Sequence, residues 1–389
     1  MDDFNFDQLI ERRGSGSLKW QFYDPDVLPL WVADMDFASP EPVLQALHAR
    51  VDHGLFGYEM PSADLTEVIC ARLARLYGWV VTPEQIVYLP GLVTGINVAC
   101  RAVGRPGEGV LAQTPVYPPF LTAPASHGLK LQTAQLTPVI EGSILRYEID
   151  YAAFEAAITP ETRLFLLCHP HNPTGADYSP QQLSRLAEIC LRHNLIICSD
   201  EIHCDLLLGD TRHTPLAALS PEVAAASITL MAPSKTFNVP GLGCSFAVIP
   251  QPELRRRMCE ASAGIVPHVN VMGLAAALAA YRYGDEWLEA LRRYLTANRD
   301  ALVHFVQTRL PALRTTVPQA TYLAWLDCRQ AVTGSPYKFF LGQARVGLNE
   351  GEHFGQGGEG FVRLNFGCPR SRLVAALEKM EAALSVNEC

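Results

Sequence analysis

Charge is scarce in this chain, and positive charge scarcer still. Charged residues make up 18% of 389, and 31 Lys and Arg face 40 Asp and Glu, a formal net charge of −9. With no basic run anywhere, a nucleic-acid surface or an anionic membrane is excluded as the main partner. A local basic pocket for a small anion is not. No stretch approaches the roughly 18 apolar residues of a membrane span, and the opening MDDFNFDQLIERR lacks the apolar core of a secretory signal. The chain therefore reads as cytoplasmic, without a membrane partner. Its 11 cysteines include no CxxC pair, and several sit inside apolar runs such as LLCHP and LIICSDEI, which predicts reduced core thiols rather than disulfides. The nearest approach to a metal set, Cys198, His203 and Cys204 beside Asp200, lacks ligand spacing, so no metal is predicted. No GxSxG motif accompanies His169 and His171, which read as residues ending a strand and not as parts of a catalytic triad.

What the chain does hold is apolar surface: 49% hydrophobic residues, enough for two or three packed units. Short apolar runs at 109–113 (GVLAQ), 163–168 (RLFLLC), 195–200 (LIICSD), 228–233 (ITLMAP) and 244–249 (CSFAVI) read as buried strands. Amphipathic stretches lie between several of them. In SPQQLSRLAEICLRHN, Ser179 can cap a helix, Pro180 suits its first position, and Leu183, Leu186 and Ile189 form one stripe. Alternating strand and helix predicts an α/β fold with a mostly parallel sheet. After about Tyr283 the pattern changes to a long helix, two strand candidates (TYLAWLD and FVRLNF) and a closing helix, a smaller α+β unit. The expected organisation is an N-terminal arm over 1–45 packed with the small domain, a large domain over 46–283, and a small domain over 284–389.

In open parallel sheets ligands gather at the carboxyl ends of the strands. Four such ends carry polar groups here. They are Tyr117 after GVLAQ, Asn172 after RLFLLC, Asp200 and His203 after LIICS, and Ser234 and Lys235 after ITLMAP. Pyridoxal phosphate matches this set: it requires a lysine for its Schiff base and an acid to keep its ring nitrogen protonated. Lys235 and Asp200 fill those two roles, Asn172 can donate to the ring hydroxyl, and Tyr117 can stack on the ring. Taken singly, each has an ordinary explanation as an exposed lysine, an N-cap, a turn residue or a packing aromatic. Their joint order has none.

At this point the residues resemble a known group, the fold-type I pyridoxal phosphate enzymes of aminotransferase class I and II. The resemblance runs over nearly the whole chain and rests on HNPTG at 171–175, SDEIH at 199–203, SKTFNVPGLG at 234–243 and RLNFGCP at 363–369. Within the group, LPLWVADMDFASP at 28–40, SDEIHCDL and SKTFN look most like the carbon–sulfur β-lyases of the cystathionine β-lyase (MalY/PatB) type. The resemblance implies a seven-stranded sheet in the large domain and a homodimer with shared active sites. It assigns His203 to the vicinity of the ring hydroxyl. The phosphate falls to the helix opening at Leu92 and Val93, to Ser234, and to Tyr58 reaching over from the neighbouring subunit. Arg363 is implied as the clamp for the substrate carboxylate, and Ala33 as a main-chain contact to the same group. Two positions depart from the aminotransferase pattern: Gly243 stands where many members carry a phosphate-binding arginine, and Ala232 where a serine is common.

Together these readings imply an amino-acid substrate and a lysine that both anchors the cofactor and takes the Cα proton. The expected activity is α,β-elimination from L-cystathionine or a related cysteine S-conjugate, giving a thiol, pyruvate and ammonia. An aminotransferase uses the same residues and is the alternative. A non-catalytic regulator retaining the fold is a third reading, which the intact Lys235, Asp200 and Arg363 oppose.

Overall fold

A computed structural model describes residues 4–209 and 211–387. A seven-stranded sheet forms the larger layer, in the spatial order Ile86–Leu89, Ser245–Val248, Ser227–Met231, Ile196–Asp200, Thr162–Cys168, Gly109–Thr114, Lys130–Gln135. The last five run parallel, and Ser245–Val248 lies antiparallel to both its neighbours. The expected mostly parallel α/β sheet is thus present. Its central strands are apolar on both faces because helices cover both. Pro180–Arg192 begins as its sequence implies: the Ser179 hydroxyl accepts the Gln182 N–H at 3.3 Å, and the Gln182 side chain returns a bond to the Ser179 N–H at 2.9 Å. Leu183, Leu186 and Ile189 are buried.

A second sheet has six strands, in the order Asn349–Glu350, Phe361–Asn365, Leu323–Asp327, Arg314–Thr316, Ile144–Glu148, Thr137–Glu141. Its last two strands form a hairpin from the middle of the chain. They join through parallel pairing of Thr315 and Thr316 with Ile144 and Leu145. The long helix Asp285–Arg309 and the closing helix Arg370–Asn387 pack beside this sheet. Among the described residues no helix is long and apolar enough to cross a membrane.

The N-terminal arm is more structured than an extended segment. It forms a short helix, Leu18–Gln21, and pairs Leu28 and Pro29 with Val346 and Gly347. What fixes it is a buried ionic cluster. The Asp36 carboxylate accepts from Arg12 Nη1 at 2.7 Å, Trp20 Nε1 at 2.9 Å and Lys19 Nζ at 3.1 Å. Lys19 and Asp36 are both fully inaccessible. Burial alone pushes the Asp36 carboxyl up, but Lys19, Trp20 and Arg12 hold it below the usual carboxylate range.

A second polar layer lies under the strand ends. His169 and His171 are buried, and burial holds both neutral, pushed down to about 4 and about 3. His213 behaves oppositely: burial opposes its charge, but Asp177 and Glu201 push it up to about 9.

Two expectations follow from these clusters. Asp36→Asn leaves the buried Lys19 ammonium with only the more distant Asp34 carboxylate, at 3.7 Å, and should cost about 3–5 kcal/mol in urea unfolding, as removal of one partner from a buried pair does. A loss under about 1 kcal/mol would show that the arm is not held this way. For pH, groups whose pKa falls on folding lose stability as acid protonates the unfolded chain. His169 and His171 should each cost about 1.4 kcal/mol per pH unit as pH drops below 6.5 towards their folded values. The His213 contribution has the other sign, complete below 6.5 and lost as pH rises through about 9. Urea midpoints between pH 5 and 10, compared with those of His171→Gln, test this; an unchanged acid limb in the variant would count against it.

Candidate active site

Adjacent strand ends bring the predicted polar groups to one place. Cys168 and Asp200 are register partners, as are Asp200 and Leu230, so the turns carrying Asn172, His203 and Lys235 leave the sheet side by side. Lys235 sits on the single turn Pro233–Thr236. Its Nζ donates to the Ala33 carbonyl at 2.5 Å, and the Tyr322 hydroxyl donates to the same oxygen at 2.9 Å. Burial and the nearby Arg363 guanidinium push the amine down to about 8, against the pull of Asp34 and Asp200.

Asp200 is buried and accepts one hydrogen bond, from the Ile202 N–H at 3.2 Å. Burial pushes its carboxyl up to about 7, with Ile202 and Lys235 pulling the other way. Arg363 is 3% exposed, yet it faces no carboxylate among the described residues. Its partners are neutral: Asn172 Oδ1 at 2.9 Å, the Trp31 carbonyl at 2.9 Å, and Asn349 Oδ1, while Nε has none. Burial lowers even this guanidinium to about 10. A buried cation without a counter-ion is costly unless an anion completes it.

Tyr117 is half-buried between these groups. Its N–H donates to the Asn172 carbonyl at 3.1 Å, and its hydroxyl feels both Arg363 and Asp200. His203 is buried edge-on to Tyr322 at 5.9 Å, its Nδ1 lacks any partner, and burial beside Lys235 and Arg363 holds it neutral at about 3. The Ser234 hydroxyl makes no hydrogen bond among the described residues. The helix Leu92–Val103 opens after Gly91 with no side-chain cap, leaving its first N–H groups outward. Tyr58 stands apart. It is fully exposed between the helices Glu41–His53 and Ala63–Tyr77, and no hydrogen bond or ring contact joins it to the site within one chain.

Sequence reasoning missed Tyr322, Asn349, Asn238 and Asn365. Tyr322 carried a usable signal, since it opens the strand candidate TYLAWLD and so lies at a strand end. Asn238 and Asn365 lie within the motifs SKTFNVPGLG and RLNFGCP, which mark them without showing what they bind, and Asn349 carried no signal outside the folded structure.

This donor set fits pyridoxal phosphate on the chemistry alone. A lysine of lowered proton affinity suits the aldehyde, a carboxylate with a free oxygen suits a cationic ring nitrogen, an unpartnered imidazole and the free Asn172 amide suit the ring oxygen, and an uncapped helix start suits the phosphate. A metal fits poorly. The one candidate grouping found among the described residues is His169, Asp177 and His213. All four ring nitrogens of the two imidazoles already have partners: His169 Nδ1 the Tyr178 N–H and Nε2 the Thr214 carbonyl, His213 Nδ1 Asp177 and Nε2 Glu201.

Comparison with known proteins agrees with this geometry. The family model for aminotransferase class I and II matches residues 25–380. The chain is 39% identical to the cystathionine β-lyase PatB of Bacillus subtilis, over 98% of this chain and all of that one. Among solved structures it superposes on OvoB with a TM-score of 0.94 at 45% identity, covering 98% of this chain and 99% of the other. Cystalysin from Treponema denticola, whose crystal structure contains pyridoxal 5′-phosphate, superposes with a TM-score of 0.94 at 29% identity over 99% of both chains. The chain belongs to the aminotransferase class I and II family.

Proposed function

We propose that this chain is a pyridoxal-phosphate-dependent carbon–sulfur β-lyase acting on L-cystathionine or a related cysteine S-conjugate. The observation that carries the reading is the convergence of Lys235, Asp200 and Arg363, each buried or half-buried and each without an ionic partner among the described residues. The full-length likeness to a cystathionine β-lyase supports the reaction type.

When bound, pyridoxal phosphate supplies a ring that draws away the negative charge left at Cα. Lys235 would hold it covalently, Asp200 its ring nitrogen, and Asn172 with His203 its ring oxygen. Tyr117 would stack on it. Ser234 and the N–H groups at Leu92 and Val93 would take the phosphate. Arg363 would grip the substrate carboxylate through a planar fork, turning Cα towards Lys235. Once the substrate amine took its place on the cofactor, Lys235 would be released as a free amine whose lowered proton affinity suits a base near neutral pH, and it would take the Cα proton so that the sulfur substituent can leave as a thiolate. With one water consumed, the balance is one thiol, one pyruvate and one ammonia. The exposed apolar loop of Leu55, Phe56, Tyr58 and Met60 supports a homodimer in which Tyr58 reaches the partner's phosphate site. A cytoplasmic location accords with an acidic chain whose described cysteines are free and mostly buried.

Purified protein given cystathionine should release thiol and pyruvate in equal amounts without any added keto acid. Amino transfer that depends on a keto acid and yields no thiol from any such conjugate would overturn the lyase reading in favour of an aminotransferase. Lys235→Ala should bind the cofactor only noncovalently and lose at least about a hundredfold to ten-thousandfold in turnover, the range for loss of a general base. Covalent cofactor trapped by borohydride on that variant would refute the assignment of Lys235.

A further inference from the structure

The backbone around Ala33 is held by side chains from both sheets. A tight turn centred on Ala33 is closed by the Asp34 N–H donating to the Val32 carbonyl at 2.9 Å. From the second sheet, Asn365 Nδ2 donates to the Val32 and Asp34 carbonyls at 2.6 and 2.7 Å, bracketing Ala33 on both sides. From the lysine-bearing turn, Asn238 spends its whole amide on the same segment. Its Oδ1 accepts the Met35 N–H at 2.9 Å, and Nδ2 donates to the Met35 and Phe37 carbonyls at 2.9 and 2.8 Å. Asn238 does so from a left-handed backbone, φ 56°, uncommon for any residue but glycine and tolerated by asparagine.

These contacts have a selective result. The Ala33 carbonyl is fully used by Lys235 and Tyr322, whereas the Ala33 N–H has no acceptor among the described residues. The segment carrying it is also tied to Arg363, whose Nη2 donates to the Trp31 carbonyl. A free N–H is therefore held on a segment whose flanking carbonyls bind the amine of Lys235 and the uncompensated guanidinium of Arg363. The two asparagines supply five of the bonds that fix this segment, all of them made to its backbone.

We propose that Asn238 and Asn365 are positioning residues for the substrate carboxylate: they hold the Ala33 peptide so that its N–H completes, with Arg363, the site for that anion. Neither asparagine need touch substrate or cofactor. The proposal rests on the pyridoxal phosphate reading of the same site and adds to it the residues that set its selectivity for amino acids over plain amines.

The test compares glycine with methylamine, which differ by the carboxylate alone, as ligands of the cofactor-loaded protein, read by the change in the visible band on titration. Asn238→Gly removes the clamp and is at ease at φ 56°. It should weaken glycine at least about tenfold, the size of one lost hydrogen bond to a charged group, and leave methylamine within about twofold. Ser39→Ala, which removes a 3.1 Å bond to the Asn238 carbonyl without touching the clamp, should change neither. Equal weakening of both amines in Asn238→Gly means a merely structural role and overturns the proposal, as does an unchanged glycine affinity. If the glycine variant does not fold, Asn238→Asp, which keeps the acceptor and loses both donors, is decided by the same two criteria. A parent protein that captures no cofactor would refute the cofactor reading itself, a result separable from either outcome in the variants.

Discussion

The carbonyl oxygen of Ala33 is the point on which the site depends. Three parts of the chain distant in sequence meet there: the arm that carries the oxygen, the turn that carries Lys235 and the second-sheet strand that begins just after Tyr322. A carbonyl accepting from an ammonium and a phenol at once is saturated, so it defines where the amine rests. The cluster of Lys19, Asp36, Arg12 and Trp20 lies outside the site, yet it anchors the arm that presents this oxygen. Burying such ions adds little to stability by itself. It does fix one arm conformation, because any shift would separate charges that have no water to turn to.

The electrostatics of the site follow from what was left unpaired. Asp200 is pushed up to about 7, Lys235 down to about 8 and Arg363 down to about 10, in each case chiefly by burial. In a structural ion-pair network, opposite charges would offset the effect of burial, as they more than do for Asp36. Here a carboxylate, an amine and a guanidinium are desolvated together without forming ion pairs with each other. That pattern belongs to a site completed by a ligand. The ligand must bring a cation for Asp200, an electrophile for Lys235 and an anion for Arg363, and a pyridinium aldehyde with an amino-acid carboxylate brings all three.

Much of this was legible in the sequence. Central strands buried on both faces read as continuous apolar runs, and the turns after them announced Tyr117, Asn172, Asp200 and Lys235. The edge strand Lys130–Gln135 was not legible, because a half-exposed strand carries mixed residues with no sustained period, and Ile86–Leu89, though apolar, is only four residues long and too short to show one. Nor was the hairpin Thr137–Glu148, whose partner strand lies some 170 residues further on, since pairing at that distance leaves no local trace. The same limit hid what Asn238, Asn349 and Asn365 bind. Each works through hydrogen bonds to backbone or to another side chain across the fold, and an asparagine in a loop or strand end looks the same whether it clamps a neighbouring segment or merely closes a turn. Arg363 was legible because an arginine between Phe361, Val362, Leu364 and Phe366 contradicts its surroundings.

The departure at Gly243 has a geometric cause. Gly243 adopts φ 56°, and a Cβ there would lie 3.1 Å from the Pro90 carbonyl, at the entry to the helix Leu92–Val103. The turn after the lysine therefore passes so close to the start of the phosphate-facing helix that an arginine at this position would need both a strained backbone and a displaced Pro90. The close approach leaves anion recognition at that end to backbone N–H groups and hydroxyls, with the helix start providing the favourable dipole. The positive charge of the site rests instead on Lys235 and Arg363. On the proposed reading the two anions would be bound by different physics: the phosphate by oriented neutral dipoles, and the substrate carboxylate by the buried Arg363 guanidinium together with the Ala33 N–H.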